Sequence, residues 1–389
     1  MTSPTAPRYA KRPPAAISLA AFTSSVDRFG ISPLLVILAT DFGVPLSVAV
    51  TVASVYFFTY GLSQPLWGML SDTFGRLPIM RFALAGAFVC GLCSAFAPNL
   101  IILMIARALT GAFFGAIVPA AITHVGDTTE LKNRQSSLSD LMAAIAIGTA
   151  LATAAAGILG QIIGWRVVFG LSATLALVSL LPLFRLVEPH REHTAGVLTA
   201  LRMIVHDKWA ILVVSLAFVE GAVVLGILTL FAPALEFQGI ETSLAGLSVA
   251  AYGVATLVFS RFVRPLTTRL TNSRVIGLGG ICLTVGLGVV AIHLSVPTVV
   301  LAALLFGGAW AFMHTGLQSW VTQIIPAARG MMVAFFAGAL FAGSAVSSAI
   351  AGALAEAGAW AWIFGIGAAI ALVLTVVSVG ARARYVYRS

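Results

Sequence analysis

Long apolar runs, each close to the length that crosses a bilayer, follow one another through nearly the whole chain, with only short polar breaks between them. A helix needs about 20 apolar residues to cross the hydrocarbon layer, where no water is present to satisfy a free backbone N–H or C=O. About twelve runs qualify, at approximately 15–39, 48–70, 79–97, 99–122, 139–163, 167–187, 209–234, 243–262, 275–294, 298–323, 331–355 and 359–380. Almost nothing remains for a soluble domain. Charged residues make up 9% of the chain, against about 25% in a soluble globule, so a soluble fold is excluded. The expectation is an all-α integral membrane protein of twelve helices.

A net charge of +9 would suggest nucleic acid in a soluble protein, but here the placement of the charges points elsewhere. Apart from Arg28, Arg107 and Arg166, every Lys and Arg falls at one set of span ends, from Arg8, Lys11 and Arg12 to Arg382, Arg384 and Arg388. The opposite ends carry Asp41, Glu236, Glu241 and Glu356. Under the positive-inside rule this predicts a multi-pass protein of the cell (inner) membrane with both termini cytoplasmic and no nucleic-acid partner. The basic residues Arg8 to Arg12 lead straight into a run long enough to span, so no cleavable signal is expected. Cys90, Cys93 and Cys282 fall inside spans and read as small buried residues, despite the redox spacing of the first two. No disulfide, metal or cofactor is expected.

The second half echoes the first at an offset of about 195 residues: Arg134 maps on Arg329, Gly148 on Gly343, Gly157 on Gly352, Trp165 on Trp360, and Phe169-Gly170 on Phe364-Gly365. Tyr60-Gly61 and Tyr252-Gly253 recur with a slightly different offset. The repeat divides the chain into a six-helix half over 1–187, a cytoplasmic linker over 188–208 and a second six-helix half over 209–389. Within the linker, Leu198, Leu201 and Val205 share one helical face, which suits a short helix at the membrane surface as well as it suits a solvated connection. Small residues crowd the fifth and eleventh spans, Gly148, Ala152, Ala156 and Gly157 answered by Gly343, Ser347, Ala351 and Gly352, so these helices are expected to approach neighbours closely.

Between the second and third runs stands the string Gly68-Met-Leu-Ser-Asp72-Thr-Phe-Gly75-Arg76, read as a tight turn at the lipid surface in which glycine is wanted where the backbone reverses or meets a neighbour. It resembles the signature loop of the major facilitator superfamily through Gly68, Leu70, Ser71, Asp72, Gly75 and Arg76. Thr73 and Leu77 stand where that pattern has basic residues. Arg107-Ala-Leu-Thr110-Gly111 is similar to the R-x-x-Q-G motif of the proton-coupled drug exporters of the same superfamily, with Thr for Gln. In the fifth span only Gly148 and Gly157 match their antiporter motif. The resemblance implies two six-helix bundles around a central cavity lined by spans 1, 4, 7 and 10. Asp72 needs a positive partner, for which Arg76 and Arg81 are candidates, and the resemblance also implies a gating loop in which Asp72 faces the start of span 11 at Arg329 and Gly330.

An ionisable side chain at mid-membrane costs about 2.5 to 3.5 kcal/mol even on a lenient scale. The few that the spans contain are Asp27 and Arg28 in the first, Arg107 in the fourth, Glu220 in the seventh and His314 in the tenth. Counting 1.5 Å per residue puts Asp27 roughly 18 Å from either end of its span and Arg107 roughly 12 Å from one end. Glu220 and His314 come out roughly 16 and 14 Å from the cytoplasmic side. Depth therefore permits Asp27 to pair with Arg107 and Glu220 with His314. A buried carboxyl beside an arginine that can move away is a device for taking up and releasing a proton, and these four residues are the expected proton-coupling group. Arg28, Tyr56, Tyr60, Gln64 and Trp67, with Gln318 beside His314, are the expected lining of a substrate cavity, since sparse polar groups among aromatics suit a small organic ligand. The cavity charges nearly cancel, which speaks against a strongly charged substrate.

The reading is a secondary transporter, most simply a monomeric, proton-coupled exporter of a small organic molecule such as a drug, sugar or metabolite, with a proton-coupled uptake symporter or a facilitator as the rival and a non-transporting membrane sensor as a remote one. None of Lys11, Lys132 and Lys208, the three lysines, follows a glycine, so no ATP-binding Walker string exists. No His is followed by Glu and no Ser sits in G-x-S-x-G, so those hydrolase motifs are absent.

Overall fold

A computed structural model describes residues 13–188 and 197–385. Arg8, Lys11, Arg12, Arg191 and Arg388 of the orientation argument, and His190 to His193 of the linker, lie outside the described residues. Twelve helices among them have the length and apolar character of membrane spans: Ala15–Phe42, Leu46–Phe74, Arg76–Ala95, Leu100–Thr128, Leu131–Ile162, Trp165–Leu183, Lys208–Phe237, Thr242–Thr267, Asn272–Ile292, Val296–Ile324, Pro326–Glu356 and Trp360–Arg384. They are numbered here as spans 1 to 12. With an even number, the two ends of the described chain share one face, the terminus face. The other is the far face. A further helix, Val197–His206, occupies the connection between spans 6 and 7.

Symmetry between the halves is visible in their contacts. A Cβ on Gly148 would stand 2.7 Å from the Phe22 carbonyl oxygen, and one on Gly343 would run into the Phe218 carbonyl, so spans 5 and 11 each press a glycine against span 1 or 7. Gly157 meets Thr242 and Gly246 of span 8, while Gly352 meets Ser47 and Val50 of span 2. These last contacts join the halves, as does Gly61 of span 2 against Gly338 of span 11. Without a hydrophobic drive between helices in lipid, such backbone-close packing is what holds spans together.

The far face is closed by side chains as well. Ser32 Oγ donates to the Thr229 carbonyl at 2.8 Å, Ser54 and Ser348 share a hydrogen bond of 2.8 Å, and Ser47 bonds Glu356. Ser243 N–H donates to Gln161 Oε1 at 2.8 Å. On the terminus side, by contrast, neither Gly68 nor Gly330 has a neighbour within 4 Å of where a Cβ would stand.

The string around Asp72 corrects the sequence expectation. Span 2 stays helical through Phe74 and span 3 begins at Arg76, so the reversal is made by Gly75 alone, at φ 111° and ψ 156°, a conformation that favours glycine. Gly68 is an ordinary helical residue facing open space rather than a close approach. Asp72 pairs with Arg76 at 2.9 Å, not with Arg329, which is exposed.

Candidate functional site

Spans 1, 4, 7 and 10 are each broken near mid-membrane; Asp27, Arg28, Glu220 and His314 lie at or beside the breaks of their spans, and Arg107 two turns before the break of its own. Span 1 is α-helical over Ala15–Phe29, turns through Gly30 into a short 3-10 stretch at Ser32–Leu34, and resumes at Leu35. Span 4 breaks between Phe114 and Ile117, at Gly115. Spans 7 and 10 carry one-turn π segments, Ala222–Gly226 and Trp310–His314. Glycines supply the freedom, and Pro33, Pro119 and Pro233 remove backbone donors just beyond three of the breaks. Irregular backbone at this depth survives only where protein or a cavity surrounds it, and π segments gather at functional sites.

Asp27 and Arg107 meet as expected. Arg107 Nη1 donates to Asp27 Oδ1 at 2.8 Å and Nη2 to Oδ2 at 3.0 Å, a two-pronged pair, and Nη2 also reaches the Asp27 carbonyl at 3.2 Å. Ser172 of span 6 adds a hydroxyl to Oδ1 at 2.8 Å. Arg107 is 0% exposed and Asp27 4%. The guanidinium lies between the rings of Tyr56, 4.5 Å away, and Phe169, 4.7 Å away, which partly replace its lost hydration. Deleting one member of such a buried pair costs about 3 to 5 kcal/mol because the other charge is left without compensation.

The second pair also forms. His314 Nδ1 lies 3.3 Å from Glu220 Oε2, its ring stacked on Trp310 at 3.8 Å. Glu220 is 0% exposed and its Oε1 has no hydrogen-bond partner.

The expected cavity residues divide. Tyr60 faces the centre: its ring lies 4.5 Å from Phe341 of span 11, and its hydroxyl accepts from Arg28 Nη1 at 3.4 Å. Tyr56 stacks on Tyr60 at 6.0 Å with its hydroxyl unpaired. Gln64 is buried and Gln318 half-buried. Trp67 does not join them. Its Nε1 donates to the Ala112 carbonyl of span 4 at 2.6 Å, and its ring packs against Phe82 and Phe113, so it serves the packing of spans 2, 3 and 4. Pro65 interrupts the backbone ladder of span 2 just before it.

Two further acids gather around Arg76. Asp127 at the end of span 4 lies 3.4 Å from Arg76 and makes a three-member cluster with Asp72. Glu188 takes the Arg76 and Leu77 backbone N–H groups at 2.7 and 2.8 Å, capping span 3 where a helix start attracts a carboxylate. Neither acid sits in a motif that reveals its partner; only the span lengths, which run beyond the apolar windows, place them there.

Fold and site together define a multi-pass membrane carrier: two six-helix halves, four broken helices and charges enclosed between them. Residues 17–244 and 225–386 match the family model described as Major Facilitator Superfamily. The chain belongs to that superfamily and is a transporter rather than an enzyme. It is similar to the "Efflux pump dotC" of Dothistroma septosporum, 31% identical over 151 residues, which is 39% of this chain and 26% of the pump. The chain therefore spans about a quarter of the length of that relative. To the "Uncharacterized MFS-type transporter YfhI" of Bacillus subtilis it is 23% identical, over 81% of this chain and 79% of that one. Among solved structures, the "Partially occluded inward open conformation of the xylose transporter XylE from E. coli" superposes with a TM-score of 0.75 at 16% identity, covering 93% of this chain and 95% of that one, a likeness of fold.

Proposed function

We propose that this chain exports a small organic molecule across the cell membrane in exchange for protons, as a monomer, with its terminus face cytoplasmic. The observation that carries the reading is the Asp27–Arg107 pair, enclosed at mid-membrane between two broken helices. A carboxylate held by two charge-assisted hydrogen bonds loses its counter-charge when the arginine withdraws, and a proton can then take the arginine's place. Both residues belong to the first half, so the withdrawal is a movement of span 4 against span 1 within that half, timed by the rocking that opens one face as the other closes. The Glu220–His314 pair in spans 7 and 10 offers a second site of the same kind. Export is favoured by the likeness of part of the chain to an efflux pump, and the basic span ends set the orientation in which that export would run. An inward proton gradient supplies about 2.3 kcal/mol per charge per 100 mV from voltage alone. The test is flux in proteoliposomes with an imposed pH gradient, screened against a compound panel. Substrate moving against the proton flow supports exchange; flux indifferent to the pH gradient overturns it.

A further inference from the structure

Arg28 has no counter-charge. The neighbouring Asp27 is fully engaged by Arg107 and Ser172, and no carboxylate lies within ion-pair distance of Arg28 among the described residues. Yet Arg28 is 7% exposed, and its Nε has no hydrogen-bond partner. Its one side-chain hydrogen bond is the 3.4 Å contact from Nη1 to the Tyr60 hydroxyl. What surrounds it is aromatic: the rings of Phe29, Tyr60 and Phe341 lie 4.8, 5.4 and 5.3 Å from the guanidinium carbon. Aromatic faces attract a cation but leave its N–H fork free, and a half-satisfied guanidinium is costly to keep buried. The cancellation of charge across the cavity is thus not local: one pair consumes itself and a cation is left over.

Arg28 also lines a cavity between the halves, walled by Phe57 of span 2, Thr153 of span 5, Thr229 of span 7 and Val249 of span 8; at about 10 Å³ it has room for about one water in this closed arrangement, so an organic anion enters only as the halves part. Tyr60, accepting from Arg28, keeps its own proton to donate, and Ser24 stands 3.5 Å from it. A planar fork of donors with a hydroxyl donor beside it, set among apolar walls, matches a carboxylate on a small organic body.

We infer that Arg28 is the recognition residue for a substrate bearing one carboxylate, held by the guanidinium with help from Tyr60, both in the first half, against Phe341 of the second. The inference rests on the transport reading above but not on proton coupling. Because the anion would touch span 1 and sit against span 11 through Phe341, its arrival and departure bear directly on the packing of the halves.

The experiment uses the purified full chain in detergent, with acetate as the smallest carboxylate probe and acetamide as its uncharged counterpart, at constant ionic strength. Acetate is expected to raise Tm by about 2 °C or more, as binding to the folded state must, and acetamide is not. Arg28→Gln removes the effect, weakening acetate about thirtyfold or more; Tyr60→Phe weakens it less. Three results overturn the inference: no acetate shift in the wild type, an equal shift with acetamide, or an acetate shift that persists in Arg28→Gln. If Arg28→Gln does not fold, the acetate and acetamide comparison on the wild type decides, with Arg28→Lys expected to retain a weaker shift. No gradient is present in this assay, so failure of proton exchange in vesicles leaves its result intact, and the reverse also holds.

Discussion

Gly157 and Gly148 lie on the same helix, and both are pressed against a backbone carbonyl, but across different boundaries. A Cβ on Gly157 would stand 2.7 Å from the Thr242 carbonyl oxygen and 3.1 Å from Gly246 Cα, in the other half of the protein. One on Gly148 would stand 2.7 Å from the Phe22 carbonyl oxygen, within its own half. Backbone cannot step aside as a flexible side chain does, so Gly157→Ala must part spans 5 and 8 on the far face. Overpacking of this kind costs about 1 to 3 kcal/mol, and here the cost is borne only by the state in which the far face is closed. The population should shift toward the far-open state by about 5- to 150-fold, the equivalent of that free energy. Gly148→Ala imposes a comparable clash on both states and should lower Tm without moving the equilibrium. Spin labels at Ile163 and Phe237, exposed positions at the far ends of spans 5 and 7, report the separation of the halves once the free thiols Cys90, Cys93 and Cys282 are replaced. Unchanged distances in Gly157→Ala, or an equal change in Gly148→Ala, would refute the assignment of this contact to closure.

Trp67→Phe should cost about 0.5 to 1.5 kcal/mol in stability through the lost bond to Ala112, while transport kinetics stay as in the wild type; a raised KM with unchanged Tm would return Trp67 to the cavity. Glu188→Ala leaves two backbone N–H groups at the start of span 3 without their carboxylate, a loss of about 0.5 to 2 kcal/mol. Hydrogen exchange at Arg76 and Leu77 should then speed up, and unchanged protection there would mean the cap is dispensable.

The twelve spans were legible because hydropathy and length alone dictate them, and the Asp27–Arg107 and Glu220–His314 pairs because depth along a helix is fixed by its rise. The close approaches of Gly148, Gly157, Gly343 and Gly352 were legible as small residues repeated at one offset. What escaped was conformation at breaks and ends. The interruptions of spans 1, 4, 7 and 10 were signalled by Gly30, Gly115, Gly221 and the Gly307-Gly308 pair, but a glycine inside an apolar run is equally at home in an unbroken helix. Trp67 shares a helical face with Tyr56 and Tyr60 by spacing, yet its indole N–H needs a partner and finds one in span 4. The contact expected between Asp72 and Arg329 depends on which face is closed, and that is a property of the ensemble rather than of any motif.

The central claim is that Asp27 carries the coupling proton. Asp27→Asn keeps the shape and removes the proton site; measured in proteoliposomes beside Arg107→Ala, it should abolish substrate movement driven by a pH gradient yet leave substrate binding within about tenfold, or about 1.4 kcal/mol. A pair that merely fastens spans 1 and 4 together would instead make both variants fold poorly, by about 3 to 5 kcal/mol. If Asp27→Asn still drives substrate uphill on a proton gradient, the claim is contradicted.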